Sequence, residues 1–156
     1  MRQKNREIKD INKIAEVIDA CEVCRIAING EEYPYIVPLN FGYEMGENLV
    51  LYFHSALEGM KIDLIKKNNK VAFEMDTAHE LYSEEPRGYC TFRYKSVIGT
   101  GEIYFIEDEK EKENALQKIM DHYHMEDFPW SRAAMPRTLV YKLEVRTITG
   151  KEKNKA

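Results

Sequence analysis

Residues 48–54 constrain this chain more than any other stretch. Leu49, Leu51 and Phe53 alternate with Val50 and Tyr52, so an extended segment here is apolar on both faces. A strand with one face in water alternates apolar with polar positions. One that is apolar on both sides belongs to a closed or doubly packed sheet. The chain then runs through His54-Ser55-Ala56-Leu57-Glu58-Gly59-Met60-Lys61 into a helical pattern over 61–68. A helix start offers free backbone N–H groups and the positive end of a dipole, a natural seat for an anion. Ser55 adds a hydroxyl, Lys61 adds a full charge, and Gly59 lets a ligand come close to the backbone. Two readings stay open from these residues alone: a phosphate seat, or an N-capped surface helix.

The remainder reads mainly as β-structure. Ile8, Ile11, Ile14, Ala15 and Ile18 recur at helical spacing and predict an amphipathic helix to about Ala20. Residues 23–29 read as a strand ending in a turn at Asn29-Gly30-Glu31. Residues 33–43 are strand-like but hold Pro34 and Pro38. Proline cannot donate to a ladder, so this strand must sit at an edge or break. A break would leave backbone groups for a planar heterocycle to satisfy; a plain edge strand is the simpler reading.

The helix from Gly59 buries Ile62, Leu64 and Ile65 and is expected to end at Asn68-Asn69 in a left-handed cap. Residues 71–75 form a strand and 76–88 a polar loop. Over 89–106 the β-propensity is nearly continuous, with Gly99 and Gly101 marking a bulge. Asp108 and Glu111 form a capping box ahead of Ala115, Leu116, Ile119, Met120 and Tyr123, a second amphipathic helix. After an irregular 124–136, residues 138–148 close the chain as a strand with Leu139, Tyr141, Leu143 and Val145 on one face. About six mostly antiparallel strands, few helices and no βαβ rhythm predict a mainly β fold, a barrel with peripheral helices.

Composition narrows the function classes. A chain of 156 residues fits one domain, and 44% hydrophobic with 32% charged residues fits a soluble globular protein. No apolar run reaches the roughly 20 residues that span a bilayer, and the basic start lacks the apolar core of a signal peptide. A cytoplasmic protein with no membrane association is expected. The net charge of −4 argues against nucleic acid as the main partner, leaving the basic ends, about 1–6 and 150–156, as solvated tails.

Cys21 and Cys24 have the CxxC spacing, but they follow a helix and enter a strand, whereas a thioredoxin-type pair opens a helix. With no second ligand pair, zinc is also unsupported, and buried structural thiols are expected. His122 and His124 are read as surface residues at a helix end. No Ser-His-Asp or paired-carboxylate pattern supports hydrolysis, and the GxGxxG fingerprint is absent.

Three segments in order carry a resemblance: residues 33–43 (Tyr-Pro-Tyr-Ile-Val-Pro-Leu-Asn-Phe-Gly-Tyr); Tyr52-Phe53-His54-Ser55-Ala56 with Gly59 and Lys61; and Tyr94-Lys95-Ser96-Val97 with Gly101. Together they resemble the pyridoxamine 5′-phosphate oxidase-like flavoproteins, and within them the NimA-like branch of 5-nitroimidazole antibiotic resistance. The resemblance implies an FMN-binding split barrel, a homodimer with flavin sites at the subunit interface. Its phosphate would rest on Lys61, Ser55 and the helix-start amides, in a seat with Phe53, Ala56 and Gly59. Val37, Pro38, Leu39 and Asn40 would lie along the isoalloxazine, Ser96 and Val97 would meet it from the other side, and Trp130 would reach the partner's flavin. His54 would stand beside the ring as the group that touches the substrate, able to donate a proton or hydrogen bond. The implied activity is a reductase passing electrons from a donor such as NAD(P)H to a nitro-type or other small electrophile. A non-enzymatic flavin-binding module, or a relative using F420 or haem, is the alternative. The chain's end at Val145-Arg146-Thr147-Ile148-Thr149-Gly150 lacks the basic pattern of the vitamin B6 oxidases, so that activity is not expected.

Overall fold

The computed structural model describes residues 3–125, 129 and 131–154, apart from the Arg132 side chain. The two apolar faces of residues 48–54 are both buried. In the strand Leu49–Ser55, Leu49, Leu51 and Phe53 join one core cluster, while Tyr52 and the partly buried Val50 pack into a second.

Eight strands are present, against the six or so expected: β1 (Glu7–Ile8), β2 (Cys24–Ile28), β3 (Tyr35–Leu39), β4 (Gly42–Met45), β5 (Leu49–Ser55), β6 (Lys70–Glu84), β7 (Tyr89–Phe105) and β8 (Leu139–Lys153). All their pairings are antiparallel, in the order β3-β2-β6-β7-β8-β5-β4, with β1 beside the far end of β8. Ile26 of β2 and Leu51 of β5 have three strands between them in that order yet share one core, so the sheet curls around it. The two strands at the ends of the path, β3 and β4, are consecutive in the chain and do not pair with each other. The barrel is therefore split along the line that Asn40 and Phe41 cross. Pro38 lies on β3 and so at an edge, and the strand breaks two residues later.

The bulge falls where the glycines suggested. Thr100 pairs with Thr147 and Gly101 with Val145, leaving Arg146 as an extra residue in β8. An extra residue shifts side-chain parity by one. Tyr141, Leu143 and Val145 therefore face inward before it, and Ile148 and Gly150 after it.

Three helices attach to the barrel: α1 (Ile11–Asp19), α2 (Met60–Lys67) and α3 (Glu109–His122). Asp10 caps α1 by accepting from the Asn12 N–H, and Asp108 caps α3 by accepting from the Glu111 N–H. α3 lays Ala115, Leu116 and Ile119 over the outer face of β5, where Tyr52, Ile106, Met135 and Val140 complete the second core.

Four expectations are corrected. Residues 76–84 continue β6, and with β7 they form a long arm beyond the barrel, irregular between Thr77 and Glu80. They read as a loop because polar residues outnumber apolar ones in 76–88 and no alternation marks a buried face. Asn68 does not take a left-handed cap but is extended (φ −150°), its side chain accepting from the Lys70 N–H. Residues 150–153 are no loose tail, since Gly150 and Lys151 pair with β1 and Lys153 with Tyr94. His122 is not a surface residue. Its Nε2 lies 2.8 Å from the Cys21 carbonyl oxygen, and its ring packs 4.3 Å from that of Phe41.

Candidate functional site

The site lies where β5 ends, α2 begins and the barrel splits. Parity along β5 decides what each side chain sees. Phe53 points into the barrel and is fully buried, stacked on Tyr141 at 5.6 Å. His54 points outward toward α3, and Ser55 is half-buried on the inner side. The Tyr141 hydroxyl is buried without a partner of ordinary hydrogen-bond geometry. Burial pushes its pKa up to about 12, with Ser55 partly offsetting the rise. Ser55 Oγ donates to the Ala56 carbonyl at 2.9 Å.

The loop then turns through Gly59, whose φ of 137° lies in the region that favours glycine. A side chain there would meet nothing within 4 Å, so the turn is open to a ligand. Gly59 begins α2 with no side-chain cap, and its carbonyl accepts from Ile62 and Asp63. The N–H groups of Met60 and Lys61 thus lie in the uncapped first turn. Lys61 is half-buried and forms no ion pair among the described residues. A lysine without a counter-charge at an uncapped helix start has the chemistry to hold an anion.

Lys61 also acts on His54. Burial, and then the Lys61 charge, hold the imidazole below its ordinary pKa. His54 Nδ1 is buried and has no hydrogen-bond partner among the described residues. Together with Asn40, which follows β3, it lines a cavity of about 450 Å³ under the C-terminal half of α3 and the turn Arg132–Arg137.

The β3 edge supplies the third wall. Pro38 pairs in register with Arg25 of β2 and is exposed, as is Ile36, whereas Val37 and Leu39 turn partly into the core. Pairs in an antiparallel ladder alternate between bonded and non-bonded, and proline fits the pair whose N–H would face the open edge. Pro38 and Ile36 therefore present their carbonyls outward, along the split.

Ser96 and Val97 are elsewhere. Ser96 pairs with Lys151 and His54 with Val140, at opposite ends of β8 and about 35 Å apart along extended chain. Val97 is fully buried in the core. One copy of the chain brings Asn40 and Lys61 to His54, and packs Val37 and Leu39 on the same core as Phe53, but does not bring Ser96 to His54. Trp130 lies outside the described residues. Cys21 and Cys24 are buried; burial raises both thiol pKa values, that of Cys21 to about 12. No group of three or more metal-ligating side chains occurs among the described residues.

Sequence reasoning missed the groups that hold the outer wall. Tyr123 donates to the Glu22 carbonyl at 2.7 Å and accepts from the Phe41 N–H at 3.2 Å, tying α3 to the strand break. The only signal was an aromatic residue at the end of an amphipathic pattern.

The family model for pyridoxamine 5′-phosphate oxidase matches residues 10–152. The chain belongs to that family. The pyridoxamine 5′-phosphate oxidase assignment agrees with solved structures. A candidate 5-nitroimidazole antibiotic resistance protein from Bacteroides thetaiotaomicron is 36% identical, aligned over 94% of this chain and 86% of that one, with a TM-score of 0.84. The flavocytochrome Anf3 from Azotobacter vinelandii shares the fold at 16% identity, over 99% of this chain and 72% of that one, TM-score 0.80. So does a FAD- and haem-binding protein from Mycobacterium smegmatis, at 14% identity over 96% and 74%, TM-score 0.76. No curated protein matches the chain. The split barrel and the resemblance to the NimA-like branch are both borne out. No helix among the described residues is long and apolar enough to cross a membrane.

Proposed function

We propose that this chain binds FMN and serves as a reductase for a small electrophilic acceptor, a nitro compound being the type case. The observation that carries the reading is the conjunction at the end of β5: a lysine at an uncapped helix start, without an ion pair among the described residues, seven residues on from a buried imidazole nitrogen that likewise has no partner among them. The relative that is 36% identical is itself described as a candidate 5-nitroimidazole resistance protein, which supports the choice of acceptor. When bound, the flavin supplies the transfer of electrons from a donor such as NAD(P)H. The chain's own residues do the rest. Lys61 and the first amides of α2 hold the phosphate, and Ser55 lends its hydroxyl. The outward carbonyls of β3 and the Asn40 amide line the ring's polar edge. His54, held neutral by burial and by Lys61, gives a hydrogen bond to the acceptor at Nδ1.

The reading includes a homodimer. Ser96 joins the site only from a second copy, and Ile36, Leu81, Phe92 and Ile98 leave large apolar side chains more than half exposed.

The test is the visible spectrum of the freshly purified protein and of Lys61→Ala. Oxidised-flavin bands near ~375 and ~450 nm are expected in the first and much weakened in the second. A colourless protein that FMN does not reconstitute would remove the flavin from this reading.

A further inference from the structure

Tyr141 carries a polar atom into the apolar interior of the barrel. Its side chain is fully buried, held between the Phe53 ring at 5.6 Å and the Phe105 ring at 6.1 Å. Stacked on the first and edge-on to the second, the ring cannot swing its hydroxyl out to water. That hydroxyl forms no hydrogen bond among the described residues. A buried O–H left unbonded is costly, and one kept in a folded core calls for a reason.

The reason lies one diagonal away. Phe53 pairs in register with Tyr141 and Ser55 with Leu139, so Ser55 and Tyr141 are diagonal neighbours on the inner face, within reach of an aromatic side chain. Burial raises the Tyr141 pKa most, and Ser55 is the neighbour that works against the rise. Ser55 Oγ itself donates to the Ala56 carbonyl at 2.9 Å. Ala56 is exposed, so water can replace that bond when the serine proton turns elsewhere. The serine oxygen keeps two lone pairs for a donor behind it.

We propose that Tyr141 is a positioning residue for the phosphate seat: its hydroxyl donates to Ser55 Oγ and so aims the serine proton at a phosphate on the first turn of α2. The inference rests on the phosphate seat of the function proposed above, and adds to it a residue that does not itself touch the ligand. Two hydroxyls in line, ending on an anion, polarise one another and strengthen the bond to the phosphate. Without the ligand the same hydroxyl lowers stability. Tyr141→Phe should therefore leave the thermal midpoint of the ligand-free protein unchanged or raise it.

The test compares FMN with riboflavin, the same ring without the phosphate. Dissociation constants for both are measured by flavin fluorescence in the unaltered protein, Tyr141→Phe, Ser55→Ala and the double variant. Tyr141→Phe should weaken FMN about 3- to 10-fold, the effect of losing one neutral hydrogen bond, and leave riboflavin unchanged. The double variant should lose no more than Ser55→Ala, since the tyrosine acts through the serine. Equal weakening of both flavins, additive losses, or a lowered thermal midpoint in Tyr141→Phe overturns the proposal. Titration with inorganic phosphate of protein labelled with ¹³C at the tyrosine Cζ separates the tyrosine from the flavin. Tyr141→Phe identifies the signal, which should move with phosphate and stay still in Ser55→Ala. Movement in a protein that never takes up FMN upholds the role of Tyr141 and sinks the flavin. FMN uptake with equal loss of both flavins in Tyr141→Phe sinks the role of Tyr141 alone. Neither FMN uptake nor movement with phosphate overturns both.

Discussion

His54 is where the chemistry of the site can be checked one residue at a time. Its pKa is lowered first by burial and then by Lys61, so Lys61→Ala should move its NMR titration upward, part of the way toward the ordinary value of about 6.5. An unchanged titration would mean that Lys61 does not face the imidazole. The sign for stability follows from linkage. Below about 6.5 the unfolded chain binds a proton at this histidine that the folded chain refuses. Stability should therefore fall as pH drops from that value through the folded pKa. Urea unfolding at pH 7.5 and 5.5 should show a smaller difference for His54→Gln than for the unaltered protein. Ser55, Gly59 and Lys61 were legible in the sequence because they are local: one strand end, one turn and one helix start, in order. The cavity was not, because Asn40, His54, Met120 and Met135 are strangers in the sequence and meet only when α3 lies across β5.

At the scale of elements, α3 decides whether that outer wall exists. It seats directly on Gly42 of β4, where an added Cβ would stand 2.4 Å from the backbone of Lys118 and Ile119. Backbone cannot step aside as a flexible side chain can. Gly42→Ala should thus destabilise the protein by about 1–3 kcal/mol, the cost of overpacking, and differential scanning calorimetry would show it. Tyr123→Phe removes two hydrogen bonds between α3 and the strand break, and should cost about 1–3 kcal/mol by leaving the Phe41 N–H and Glu22 carbonyl without that partner. A loss near zero for either variant would mean that α3 is held elsewhere. The helices were legible because amphipathic spacing and the Asp108 cap are written locally. The arm beyond the barrel was not, since residues 76–88 show no alternation of apolar and polar positions and the pairing of β6 with β7 supplies the order. His122 misled for a related reason: a histidine at a helix end looks exposed until the Cys21 turn and Phe41 are folded against it.

For the whole molecule, barrel closure and assembly are the open terms. Barrel class was legible from the doubly apolar strand, the glycine-marked bulge and the antiparallel run of patterns. The β1 pairing to the end of β8 was hidden, because a two-residue strand has no pattern of its own. Light scattering should give twice the chain mass, and Ser96→Glu, placing charge where the partner's site is proposed, should weaken FMN retention. A monomer that keeps its flavin would refute the shared site. The split itself has one more consequence. An unpaired sheet edge is a template on which other chains can add strands, and β3 is such an edge, with Ile36 exposed upon it. Pro38 sits on that edge and offers no N–H to a newcomer, so the split in the barrel resists the fibre-like stacking of identical copies. Pro38→Val should restore the missing donor, and the variant should turn turbid on mild heating while the original protein stays clear.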